Sequence, residues 1–185
     1  MTPPRAQRGG NGRPAGGTPV PDSDTPVAGK TVVIGLGNRY LGDDGVGLAV
    51  ADELQHTRLD TGLVVRAHQT FDLWLLSEYA GASRLIIIDA ARSGAAPGTV
   101  TEYGVVPHSG PYGSIPGLHS LGLHDLADFA TQTGLLSCPL TIIGVEPKDC
   151  SVGEGLSDEV ERAVYEVVAL VTGNLRRSPQ SVVGA

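Results

Sequence analysis

Hydrophobic positions in this chain alternate between short runs and one-sided stripes from residue 31 to residue 172. Residues 31–37 (TVVIGLG) form a β-branched apolar run closed by glycines, the pattern of a buried strand. Asp43-Asp44 then opens a helical stretch. Its Val46, Val50 and Leu54 recur at i, i+4 and i+8, and its acidic start suits the positive end of a helix dipole. Residues 63–67 (LVVRA) read as a second strand, and 71–81 as a helix carrying Leu73, Trp74, Leu75 and Leu76. The most hydrophobic run, 85–88 (LIII), stops at Asp89. Beyond the Pro97-Gly98 turn, 99–106 is predicted as a strand and 123–132 as a helix. A strand over 140–145 (LTIIGV) ends near Pro147. A last helix over 157–172 opens on Ser157, Asp158 and Glu159 and buries Val160, Val164 and Val167 or Val168.

Strands alternating with helices predict an α/β fold, here a three-layer α/β/α sandwich around a mainly parallel five-stranded central sheet. Residues 1–29 break the pattern. They are dominated by Pro, Gly, Thr and Ala, and cannot bury enough apolar surface to offset the entropy of ordering. A disordered tail is therefore expected over 1–29, a single domain over 30–173, and a flexible tail over 174–185. The first segment lacks both a twin-arginine pair and the apolar run of about 7–15 residues that a secretory signal needs. No stretch approaches the ~20 apolar residues of a membrane span. A cytoplasmic protein without a membrane partner is the expectation.

Composition adds three constraints. Only 4% of residues are aromatic, so the core must be built from Leu, Ile, Val and Ala. A net charge of -7 repels phosphate backbones and argues against nucleic acid as a partner. Cys138 and Cys150 fit neither a disulfide framework nor a metal knuckle and read as reduced thiols.

In a parallel α/β sheet the site lies beyond the carboxyl ends of the strands. Three polar side chains stand there: Asp44 after the first strand, Asp89 at the end of the third, and His119 ahead of the helix starting near Leu123. Two carboxylates and an imidazole make a three-ligand set for a borderline divalent metal, with positions left open for water or substrate. A carboxylate closing a run of LIII is costly to desolvate unless it is paired or metal-bound. Each residue also has an ordinary structural role open to it. Asp44 could cap the helix, Asp89 could cap a turn, and His119 could be a satisfied structural histidine.

The glycines invite two other readings. Gly35-Leu36-Gly37 begins a dinucleotide fingerprint, but Tyr40 occupies the third glycine position, and 63–67 ends in Arg66-Ala67 where an acidic residue is wanted. The run VIGLGN is similar to the opening of bacterial peptidyl-tRNA hydrolases. It continues as RYLGDDGVG, with no histidine before His56, and the match ends there.

The segment IGLGNRYLGDDGVGLAVADEL resembles the N-terminal signature of the hydrogenase maturation proteases. LIIIDAARSGAAPGTV is similar to that family's strand-ending Asp-Ala and Pro-Gly-Thr turn, and GLHSLGLHDLADFA to its Ser-x-His helix entry. LTIIGVEP followed by LSDEVERAV looks like its closing strand and helix. The four segments occur in register over about residues 31–172. The resemblance implies an endopeptidase that removes a short C-terminal peptide from the precursor large subunit of a nickel–iron hydrogenase, activating it after nickel insertion. It also implies that Asp44, Asp89 and His119 are both metal-contact and catalytic residues. The ion would be nickel carried by the substrate, and zinc or cadmium could take its place in a crystal. A nickel-delivery or docking protein with the same ligands is the competing class. Two departures stand out. Some members have Glu at the Asp44 position, and Ala67-His68-Gln69-Thr70 replaces the Asp/Cys-Gly-Thr segment of many others, making His68 a candidate auxiliary group beside Asp43 and Asn38.

Overall fold

The computed structural model describes residues 25–57, 62–105 and 123–176. Five strands, β1 (Thr31–Leu36), β2 (Leu63–His68), β3 (Arg84–Ala90), β4 (Val100–Val105) and β5 (Leu140–Val145), form one sheet in the order β2-β1-β3-β5-β4. All neighbours pair in parallel except β4, which runs antiparallel along β5 at the edge. Among the described residues, four α-helices cover the sheet: α1 (Val46–His56), α2 (Leu73–Glu78), α3 (Leu123–Gln132) and α4 (Asp158–Arg176).

Period-2 alternation divides the strand side chains between two cores. Val32, Ile34 and Leu36 of β1, with Leu85 and Ile87 of β3, face Leu76 and Tyr79 beside Ala127 and Ala130 of α3. Val33, Ile86, Ile88 and Ile143 point the other way, against Val46, Val50 and Leu54 of α1 and Val160, Val164 and Val167 of α4. The predicted sandwich is the observed architecture. The valine stripe of α4 resolves in favour of Val167, which is fully buried, while Val168 packs at the margin.

Several boundaries differ from expectation. β3 runs on through Asp89 and Ala90, because these residues still pair with Gly144 and Val145 of the longer β5 ladder. α2 is shorter than 71–81. The Asp72 carboxylate accepts from the Leu75 amide at 2.8 Å to start it, and Tyr79 leaves the helix to enter the core. Asp43 and Asp44 lie in a separate 3-10 turn, Gly42–Gly45, ahead of α1. Residues 25–29, read as tail, are also tied to the domain. The Thr25 carbonyl accepts from the Arg66 guanidinium, Val27 packs on the α2/α3 core, and the Gly29 amide donates to Gly81 O. Likewise α4 continues to Arg176, into the segment read as C-terminal tail.

The order β2-β1-β3 means that the chain leaves β1 toward one edge and β3 toward the other. In open α/β sheets such a reversal, outside the strand ends, is where ligands bind. The β1–α1 loop and the end of β3 meet there.

Candidate functional site

Glycines let the β1–α1 turn sit directly on the strand ends. Gly37 has φ +128, a left-handed conformation that other residues resist, and a Cβ there would collide with the Asp44 carbonyl. One turn later, Gly47 of α1 packs so closely that a Cβ would strike the carbonyls of Leu36 and Ile88, and Gly35 meets Gly47 O in the same way. The glycines that resemble a nucleotide fingerprint therefore serve backbone approach. They bring the start of α1 down across β1 and β3 and set Asp44 beside Asp89.

Asp44 does not cap α1. Its Oδ2 accepts from the Asn38 amide at 2.8 Å, across the loop. Asp89 Oδ1 accepts from the Ala90 amide at 2.9 Å. Among the described residues, the second oxygen of each carboxylate accepts no hydrogen bond. Burial pushes the Asp89 carboxyl up to about 6. The Ala90 amide pulls it down in part, and the negative charge of Asp44 adds to the rise. Two neighbouring carboxylates with one uncommitted oxygen each are the donor chemistry a divalent ion needs. Among the described residues no group of three His, Cys, Asp or Glu side chains is arranged to hold a metal. The third predicted member, His119, lies outside the described residues.

Asp43 and Glu146, also nearby, are fully engaged. Asp43, 1% exposed, receives the Lys148 and Asp149 amides on Oδ2 at 2.8 and 3.0 Å, the Ser157 amide on Oδ1 at 2.7 Å and the Ser157 hydroxyl on Oδ2 at 3.0 Å. Burial alone would raise its pKa, but these donors outweigh it and hold the carboxyl below the usual range. Asp43 thus joins the β1–α1 turn to the β5–α4 loop, a link reinforced by the Leu41–Gly153 bridge. Glu146, just past β5, accepts from the Ser93 amide and hydroxyl, both at 2.6 Å, and from the Gly94 amide at 3.3 Å, fastening the loop that follows Asp89. Asn38, a candidate helper, spends its side-chain oxygen on the Tyr40 amide.

His68, at the end of β2, pairs its Nε2 with the Tyr79 hydroxyl at 2.9 Å on the α2 side. Burial lowers its pKa, the charges of Glu78 and Asp72 oppose this, and Arg66 adds to it. Two residues near the pair, Cys150 and Arg92, were not read from sequence as site residues. Cys150, in the β5–α4 loop, feels the charges of Asp44 and Asp43 and accepts from Arg92, and burial raises its thiol pKa. Both follow the carboxyl end of a strand, so the rule that drew attention to Asp44 and Asp89 reaches them as well.

A family model for hydrogenase maturation proteases matches residues 51–174, two-thirds of the chain, a span that includes Asp89 and His119 and begins after Asp44. The hydrogenase 2 maturation protease of Escherichia coli K12 is 28% identical over 151 residues, covering 80% of this chain and 92% of its own. Among solved structures, the hydrogenase 2 maturation peptidase of a Thaumarchaeota archaeon superposes with a TM-score of 0.61 at 28% identity, over 79% of this chain and 97% of that one. The hydrogenase maturating endopeptidase HybD of E. coli gives 0.60 at 25% identity, over 80% and 92%.

Proposed function

This chain belongs to the hydrogenase maturation protease family and is an endopeptidase, and from that premise we propose that it cuts a C-terminal peptide from the nickel-loaded large-subunit precursor of a nickel–iron hydrogenase. The observation that carries the metal-dependent part of this reading is the Asp44–Asp89 pair at the sheet's reversal point, each carboxylate keeping, among the described residues, one oxygen without a donor.

Asp44, Asp89 and His119 would meet nickel held by the precursor's own cysteines. The ion would supply a fixed point of attachment and, by its charge, acidify a nearby water. The chain's residues do the remainder. Asp44 and Asp89 would position the precursor through the nickel it carries, replacing a bimolecular encounter by a positioned one. A carboxylate oxygen of the pair that is not engaged by the ion would be placed to take a proton from the attacking water. Among the described residues no helix is long and apolar enough to cross a membrane.

Purified protein mixed with nickel-loaded and nickel-free precursor should cut the loaded form only, over many turnovers. Equal cutting of both forms removes the recognition role of nickel, and a yield limited to one cut per protein molecule marks a docking protein instead. His119→Ala should abolish processing and melt as the wild type does; an active, folded variant removes that residue from the site.

A further inference from the structure

We propose that Asp43 is the positioning residue for Asp44: its buried carboxylate acts as a cross-loop clamp that fixes the 3-10 turn Gly42–Gly45 and, through it, the direction of the Asp44 side chain. The inference rests on the reading of Asp44 as a metal-contact residue.

Asp43 and Asp44 are adjacent, in one short turn, yet their carboxylates have opposite fates. Asp43 reaches over residues distant by more than a hundred positions and collects four donors from Lys148, Asp149 and Ser157. Three are backbone amides, whose directions are set by the chain itself. Asp43's own amide donates to Asp149 O at 2.9 Å, and the Gly42 amide to Gly153 O at 2.9 Å, so backbone and side chain together seat the turn on the β5–α4 loop. With Asp43 turned into that loop, the next residue of the turn must point elsewhere. Asp44 falls toward Asn38 N and Asp89. The 3-10 turn has no side-chain cap of its own. Locally it is held by backbone bonds such as Asp44 N–H to Leu41 O at 3.1 Å, and Asp43 adds the long-range side-chain bonds that seat it on the β5–α4 loop. A group that must hold one oxygen free for a ligand needs a neighbour that fixes its geometry, and charge-assisted hydrogen bonds to backbone amides are the strong and directional means of doing so.

The clamp has a direct reporter in the Asn38 amide, which donates to Asp44 Oδ2. In Asp43→Asn the carboxylate becomes an amide whose NH2 must face backbone donors. Amide hydrogen exchange by NMR, on the full chain, should then show protection at Asn38 falling tenfold or more beyond the fall at Ile34, in the core of β1. Nickel(II) added alone should bind Asp43→Asn at least tenfold more weakly than wild type. The Asp43→Asn change should cost nothing further in an Asp44→Ala background. Equal loss of protection at Asn38 and Ile34, wild-type nickel affinity in Asp43→Asn, or the same fold-loss with and without Asp44, each overturns the proposal. Should Asp43→Asn not fold, Ser157→Ala removes one of the four donors and should produce the same pattern at about a few-fold; no selective change at Asn38 overturns the proposal. Unchanged nickel affinity in Asp44→Ala would instead sink the metal-contact reading, and the clamp's functional role with it, while leaving the Asn38 result intact.

Discussion

Asp43, Asp44, Asp89 and Glu146 lie at the carboxyl end of the sheet, and their hydrogen bonds separate them into two kinds. Asp43 and Glu146 accept from three or more donors, several of them backbone amides, and both are held below the usual carboxyl range. Asp44 and Asp89 each accept from one amide. Asp89, with its pKa raised to about 6, binds a proton more tightly in the folded than in the unfolded chain. Its contribution to stability is therefore complete below about pH 4 and is lost as pH rises through about 6, a change on the order of 3 kcal/mol at most. Asp43 works in the opposite sense, stabilising above its unfolded pKa and ceasing to do so as pH falls through its lowered folded value. Asp89→Asn should flatten the wild-type decline in stability between pH 4 and 6 and leave the protein more stable at pH 7, as read by urea unfolding at each pH. An identical slope in the variant would mean that Asp89 is not the buried acid responsible. The same proton competes with a cation, so affinity for a divalent ion should fall about tenfold per pH unit below pH 6. Calorimetric titrations at several pH values would measure this directly.

At the level of elements, the site depends on how closely α1 approaches β1 and β3. Gly47 makes that approach possible, and a methyl group there meets the backbone carbonyls of Leu36 and Ile88, which cannot rotate away. Gly47→Ala should cost at least about 1–3 kcal/mol despite the better helix propensity of alanine, and should weaken ion binding by lifting the turn that carries Asp44. Denaturant midpoints for Gly47→Ala against a nearby helical control such as Ala49→Ser would separate overpacking from propensity. At the far end of the same helix, Leu54 is buried among Val50 and its neighbours, and Leu54→Ala should destabilise by roughly 2–5 kcal/mol through the cavity it leaves. Because Leu54 is remote from the turn, that variant should keep its ion affinity once folded. A loss of both together would show that α1 transmits strain along its length.

On the scale of the whole molecule, two cores on either side of one sheet hold the strand ends in register, and three loops tied by Asp43 and Glu146 complete the rim. An ion that binds the folded chain alone must raise its melting temperature by mass action. At about a hundred times its dissociation constant the gain is roughly 2.7 kcal/mol, or on the order of 5–10 °C for a chain of this length. Calorimetry with nickel(II) should show this shift in the wild type and lose most of it in Asp44→Ala and Asp89→Ala. An equal shift in both variants would place the ion elsewhere on the protein.

Hydrophobic periodicity alone determined the element order, the two-sided burial of the sheet and the stripe of α4, since strand and helix periods depend on near neighbours in the chain. It also marked Asp89, as an acid that ends an apolar run, and Asp44, through the rule that sites lie in the loops beyond the carboxyl ends of parallel strands. The roles of neighbouring acids were not legible there. Asp43 and Asp44 are the same residue type in adjacent positions, and what distinguishes them is a set of amides at Lys148, Asp149 and Ser157 that only folding brings within reach. Cys150 and Arg92 joined the neighbourhood of the pair for the same reason. Local pattern specifies which segments become strands and helices, whereas the partner of a buried polar group is a long-range contact, and tertiary structure decides it.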